Sequence, residues 1–254
     1  LKDLEKVPES PPHQYNLKKH TILSVEYLET FCLKEKDYIL LEFSKEIGSR
    51  ELFKDFSDSD CLKLTALYHD VGKPITVKEK DGRLTFYNHD KVGAKIAKEA
   101  FLRLRFGKKA SSLASNVIRH HLRPFFLYEL YKEKRLSDKA IYRFFESTRN
   151  FSFHVLLHSV ADFMATSEEN KMKIDEFIRF IHYLLKFYRE RIKNLKPLLS
   201  GREIMKIKNF DRPNECVGKI KKKLLELQAL GKIKTVDEAV KFVKGYSCES
   251  SRES

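Results

Sequence analysis

Apolar residues recur at helical spacing along most of the chain. Leu17, Ile22, Val25, Leu28 and Phe31 fall near one face of a helix running from about residue 17 to 31. The same reading predicts helices over roughly 37–47, 58–69, 89–105, 110–121, 137–146 and 153–165. Asp58 or Ser59 serves as N-cap for the helix that ends at His69, and Gly72 and Pro74 stop it. The longest stripe, from Ile174 through Phe177, Ile181, Leu184 and Tyr188 to Ile192, predicts one long amphipathic helix. Pro197 and Gly201 break it, and a domain boundary is placed there.

The period changes between these helices. Ile75-Thr76-Val77 and Arg83-Leu84-Thr85-Phe86-Tyr87 are β-prone and flank Lys80-Asp81-Gly82. Asp-Gly between two such runs is a hairpin signal. The expected architecture is therefore all-α: a helical bundle with one small β-hairpin, followed by a small C-terminal helical module. Its expected parts are a linker over 1–16, the bundle over 17–170, a connecting helix over 171–196, a basic module over 197–245 and a disordered tail over 246–254.

Composition narrows the class. Of 254 residues, 42% are hydrophobic and 34% charged, a globular balance. No stretch approaches about 20 consecutive apolar residues, which excludes a membrane span and a membrane partner. No secretory signal is visible, so a cytoplasmic location is expected. The first residue is Leu1, which fits a lost initiator or a piece of a longer polypeptide. Cys32, Cys61, Cys216 and Cys248 lie far apart without a C-x-x-C pair. They read as reduced thiols, not as a zinc site. The net charge is +14, and its placement is uneven: residues 171–254 hold 21 Lys and Arg against 11 Asp and Glu. Such a basic module favours phosphate-rich partners.

The candidate chemistry centres on Tyr68-His69-Asp70-Val71-Gly72-Lys73-Pro74. Adjacent residues inside a helix project about 100° apart and do not share one ion easily. At a helix end unwound by Gly, both side chains can turn to one point. His20 lies in the first helix, His89 opens a helix after the hairpin, and His120 and His121 end a helix before Leu122-Arg123-Pro124. Asp162 lies on an apolar helix, where a buried carboxylate needs a partner such as a metal ion. His13, His154, His158 and His182 match no pattern and read as structural.

The order His20, His69-Asp70, His89, His121, Asp162 resembles the HD superfamily of metal-dependent phosphohydrolases, over roughly residues 13–170. The resemblance implies ligands converging from separate helices of a bundle. His20, His69, Asp70 and Asp162 would hold a first ion. His89, His120 and His121 would be available for a second, with His121 favoured over His120 and with Asp70 bridging. Imidazoles and carboxylates without thiolate suit Mn, Ni, Co, Fe or Mg. Such an ion makes water acidic enough to ionise near neutral pH and offsets phosphate charge. Asp70 and Lys73 are the expected catalytic pair, with Lys73 placed to neutralise a phosphate.

The flanking residues narrow the likeness. Asn16-Leu17-Lys18-Lys19-His20-Thr21, His69-Asp70-Val71-Gly72-Lys73-Pro74, Phe86-Tyr87-Asn88-His89 and Pro197-Leu198-Leu199-Ser200-Gly201-Arg202-Glu203 resemble the HD region and following body of bacterial tRNA nucleotidyltransferases and poly(A) polymerases. The likeness spans about residues 13–245. Those enzymes polymerise in an N-terminal head with a Gly-Ser loop and two metal-binding carboxylates, and no such loop occurs here. Asp58-Ser59-Asp60 has no Gly-rich turn ahead of it and reads as capping. The resemblance therefore implies a metal-dependent phosphohydrolase acting on 2′-nucleotides, 2′,3′-cyclic phosphates or related RNA-end esters, or else a non-catalytic tRNA-binding body or subunit of a split tRNA nucleotidyltransferase or poly(A) polymerase, served by a separate head domain. It also implies that Arg123, Lys219, Lys221, Lys222 and Lys223 touch RNA phosphates.

Overall fold

The structure is a computed structural model that describes residues 4–5, 7, 16–33, 51–53, 56–167 and 170–248. The helix expected over 37–47 lies outside the described residues, as do most of the linker and the last six residues.

Helix α1 (Leu17–Tyr27) starts where the Asn16 side chain accepts from the Lys19 amide at 2.9 Å, and it continues as a π-helical turn over Leu28–Leu33. Strands β1 (Glu51–Phe53) and β2 (Phe56–Ser57) pair antiparallel, a second short ribbon beside the expected hairpin. Helix α2 (Asp58–Tyr68) opens with a capping box between Ser57 and Asp60. The N-cap is thus Ser57, ahead of both Asp58 and Ser59, because the Ser57 hydroxyl can reach the Asp60 amide. One turn, α3 (Lys73–Thr76), precedes β3 (Lys78–Lys80) and β4 (Arg83–Thr85). The hairpin follows the Asp81-Gly82 signal: these two residues take φ of 52° and 71°, as a two-residue type I′ turn requires. Ile75 and Thr76 are helical, not extended, because Pro74 sits in the first turn of α3, where a missing N–H costs nothing.

Helices α4 (His89–Arg103), α5 (Gly107–His120), α6 (Arg123–Lys132), α7 (Asp138–Thr148), α8 (Ser152–Ser167) and α9 (Lys171–Arg191) follow. Sequence periodicity did not mark α6. Pro124 reads as a helix stop, yet it occupies the first turn of a new helix. The C-terminal helices are α10 (Gly201–Lys208), α11 (Glu215–Ala229) and α12 (Val236–Gly245).

Two compact units result: residues 1–136 with 144–183, and residues 137–143 with 184–254. In the first, α4 packs on α5, α1 on α8, and α2 against both α1 and α5. Leu62, Phe101, Leu113, Ile118 and Leu127 are fully buried there. The loop after α2 meets the start of α4 backbone to backbone. A Cβ at position 72 would overlap the His89 carbonyl oxygen and come within 2.8 Å of the Gly93 amide nitrogen. Only glycine permits that approach.

In the second unit, α10, α11 and α12 enclose Ile204, Ile220, Leu224, Ala239 and Val243. Capping boxes open α10 (Ser200 with Glu203) and α12 (Thr235 with Glu238). Cys216 and Cys248 are joined in a disulfide with Cα atoms 5.7 Å apart. This corrects the expectation of reduced thiols: the residues after α12 are brought against the start of α11, and the two cysteines meet across it. Of the tail expected over 246–254, residues 246–248 are described and 249–254 lie outside the described residues. Among the described residues, no helix is long and apolar enough to cross a membrane.

Candidate metal centre

Three histidines at helix ends share one local geometry. His69 follows α2 and its Nδ1 donates to the Ala66 carbonyl at 2.7 Å. His89 opens α4 and its Nδ1 donates to the Phe86 carbonyl at 2.8 Å. His121 follows α5 and its Nδ1 donates to the Ile118 carbonyl at 2.7 Å. Each ring thereby uses one nitrogen on a carbonyl of its own turn and turns Nε2 inward, the arrangement that orients metal-binding imidazoles.

Two donor groups result, all buried: His20, His69 and Asp162; and Asp70, His89 and His121. In the first, Asp162 Oδ1 lies 2.9 Å from His20 Nε2 and 3.8 Å from His69 Nε2. In the second, Asp70 Oδ1 lies 3.5 Å from His89 Nε2 and 3.9 Å from His121 Nε2. The other oxygen of Asp70, Oδ2, lies 3.2 Å from His69 Nε2 and 3.9 Å from His20 Nε2. One carboxylate thus faces both groups. The centre draws on α1, α8, the turn after α2, the start of α4 and the turn after α5.

The donor chemistry fits a divalent cation. His69 Nε2 and Asp70 Oδ1 are buried without a hydrogen bond, a costly state for polar atoms. The Nε2 atoms of His89 and His121 stand 3.3 Å apart while both Nδ1 atoms point to carbonyls. With both Nδ1 hydrogens on carbonyls, the two Nε2 atoms need a proton or a cation between them. Burial pushes His121 down to about 4, so it is a neutral donor. Burial also works against a charged His69, but the Asp70 and Asp162 carboxylates outweigh it and carry the ring up to about 9. Burial alone would raise Asp70 and Asp162. The His69 charge, with Lys73 beside Asp70 and His20 beside Asp162, holds both well below the usual carboxylate range.

Lys73 is buried, with Nζ 2.6 Å from Asp70 Oδ2. It lines a cavity of about 580 Å³ whose floor is Asp70, His89, His121 and Asp162. Phe86, Phe125, Tyr128 and Phe163 wall the cavity. Of the residues singled out from sequence, His120 lies outside both donor groups. It lines a neighbouring groove together with Arg123. Lys219 and Lys223 are on α11 and pair with Glu215 at 2.9 Å and Glu226 at 2.8 Å, while Lys221 and Lys222 are exposed. His154 meets Asp58 at 3.1 Å inside the first unit.

His158 was not singled out from sequence, yet its ring centroid lies 4.9 Å from that of His69 and 6.1 Å from that of His121. Neither of its ring nitrogens has a hydrogen-bond partner. Burial first, and then His69, hold it well below the usual histidine range, so it stays neutral beside the centre. The available signal was its spacing: one helical turn before Asp162 on α8, hence the same face.

Residues 19–143 match the HD domain model, a range that includes His20, His69, Asp70, His89 and His121. The chain is 33% identical over 186 residues to the CC-adding tRNA nucleotidyltransferase of Thermus thermophilus, covering 71% of this chain and 39% of that protein. It is 28% identical to the A-adding tRNA nucleotidyltransferase of Deinococcus radiodurans, covering 76% of this chain and 43% of the relative. A bifunctional uridylyltransferase/uridylyl-removing enzyme of Methylococcus capsulatus is 32% identical over 61% of this chain and 16% of its own length. The chain thus spans about two fifths of the length of the tRNA nucleotidyltransferases it matches. Residues 19–143 belong to the HD domain family, a metal-dependent phosphohydrolase fold, within a chain homologous to tRNA nucleotidyltransferases over about 70% of its length.

Proposed function

We propose that this chain is a divalent-metal-dependent phosphohydrolase that cleaves phosphate esters of nucleotides or RNA ends, 2′-nucleotides and 2′,3′-cyclic phosphates among them. The observation that carries this reading is a pair of buried donor groups joined at Asp70 on the floor of a 580 Å³ cavity. His20, His69, Asp70 and Asp162 would hold one ion, and Asp70, His89 and His121 would hold a second. His120 takes no part as a ligand. Mn, Ni, Co, Fe or Mg suits these nitrogen and oxygen donors. When bound, such ions activate water and offset phosphate charge.

The rest is done by the chain itself. The Nδ1–carbonyl bonds hold three rings in place before substrate arrives. Asp70 offers one oxygen to each donor group. Lys73, beside Asp70 at the cavity floor, supplies a cation to a phosphate oxygen. The aromatic walls take up the organic part of the ester and limit water around it. The test is hydrolysis of 2′,3′-cyclic nucleotides and 2′-nucleotides with each metal. Asp70→Ala is expected to lose at least about a thousandfold in kcat/KM, the scale of losing metal and phosphate stabilisation together. Equal rates in the variant would refute the reading.

A second reading is favoured by the charge of the C-terminal third and by the tRNA-directed relatives. Here the second unit contributes a tRNA-binding body, with Lys219, Lys221, Lys222 and Lys223 toward backbone phosphates and a separate head domain doing any polymerisation. In this reading residues 17–170 are an HD domain with a structural cleft, residues 197–245 the RNA-binding module and the cytoplasm the site of action. It predicts tRNA affinity that falls steeply with salt. Salt-indifferent binding would count against it. The tRNA binding of this reading is compatible with the first.

A further inference from the structure

A second concavity adjoins the metal cavity in the first unit. It encloses about 510 Å³ and shares Leu84, Phe86, His89 and Leu122 with the cavity above the donor groups. Its outer walls are of a different kind. Tyr87, at the end of the hairpin, is 73% exposed, and Phe126, on α6, is 59% exposed. Arg119 and Arg123 line it with His120, and the only carboxylate there is Asp90, 3.3 Å from the Arg119 guanidinium. Two guanidinium groups thus stand against one carboxylate beside two uncovered aromatic rings.

That combination suits one class of ligand. Exposed rings give stacking faces for unpaired bases, and arginines track a phosphate backbone. A duplex keeps its bases stacked inward and cannot use the rings. We propose that this groove holds the single-stranded segment next to the RNA end whose phosphate reaches the metal centre, with Tyr87 and Phe126 stacking on bases and Arg119 and Arg123 toward the backbone. The two cavities have Leu84, Phe86, His89 and Leu122 in common in their linings, which sets the groove beside the metal cavity. The proposal rests on the hydrolase reading and refines it: the preferred substrate is an RNA 3′ end, not a free nucleotide.

The experiment compares adenosine 2′,3′-cyclic phosphate with a five-nucleotide RNA ending in the same cyclic phosphate. The wild-type protein is expected to show a KM for the RNA at least about tenfold lower. The double variant Tyr87→Ala/Phe126→Ala is expected to raise that KM by about tenfold or more while the mononucleotide rate holds. Both rings are exposed, and an unchanged melting temperature checks that the variant is folded. In parallel, fluorescence anisotropy follows binding of a labelled five-nucleotide RNA with a 3′-hydroxyl. Arg123→Ala is expected to weaken that binding and to reduce its salt slope by about one. Equal losses for the two hydrolysis substrates, or no loss in either assay, overturn the proposal. So does equal affinity for a duplex of the same length. If no ester is cleaved by the wild type, the hydrolase reading falls, and the binding assay alone still decides the groove.

Discussion

Gly72 shows at the scale of one residue how tightly the centre is built. Its missing side chain lets the turn bearing His69 and Asp70 rest on the backbone of the turn bearing His89. Gly72→Ala is expected to force these turns apart, costing about 2–4 kcal/mol by thermal unfolding and lowering metal affinity in the same protein. A variant with wild-type melting and metal binding would show that the contact is dispensable. Cys61 tests burial instead. It is fully buried, and burial pushes its thiol up from 9.0 to about 12. It should resist a thiol reagent at pH 8 until the protein unfolds, as timed labelling and mass spectrometry would record. Because the folded pKa lies above the unfolded one, Cys61 leaves stability unchanged below pH 9 and erodes it as pH rises from about 9 to 12. Sequence marked His69, Asp70, His89, His121 and Asp162 by their places at helix ends or on an apolar helix, and above all by an order that resembles the HD superfamily. It passed over His158, since a lone histidine on an apolar helix carries no local sign of what lies across from it.

Elements were legible where one strong rule acted alone. The Asp-Gly turn and the long stripe of α9 are examples, since positive φ and 3.6-residue periodicity leave few alternatives. Boundaries failed at proline. Pro74 and Pro124 punctuate the sequence, but each sits in the first turn of a helix that the pattern does not announce. Pairing between distant elements was hidden too, and the Cys216–Cys248 bond is the example. It closes a 32-residue separation over α11 and α12. On the chain-entropy account such closure contributes about 3–4 kcal/mol. Adding reductant, or making Cys216→Ser, should therefore lower the melting temperature of the second unit by several degrees, measured by calorimetry with and without reductant. An unchanged transition would mean that these helices need no cross-link.

For the whole molecule, the hydrolase reading makes metal a folding ligand as well as a chemical one. Its donors come from α1, α8, the start of α4 and two turns, so an ion that binds only the folded chain should stabilise it. Chelation should lower the melting temperature, and saturating Mn or Ni at about 100-fold over Kd should restore about 2.7 kcal/mol. His20→Ala with Asp162→Ala should abolish much of that response; a response left intact would place the ion elsewhere. The uneven charge was plain in the sequence, whereas the meeting of five segments at Asp70 follows only from the packing of the bundle. The seam at Gly72 and Gly93 carries this further. Main chain touches main chain there, with no side chain to act as a shim, so the interval between the two ligand clusters is gauged by backbone. Exchanging one ligand type for another could retune which ion is preferred. Resetting that interval would mean rebuilding the seam itself.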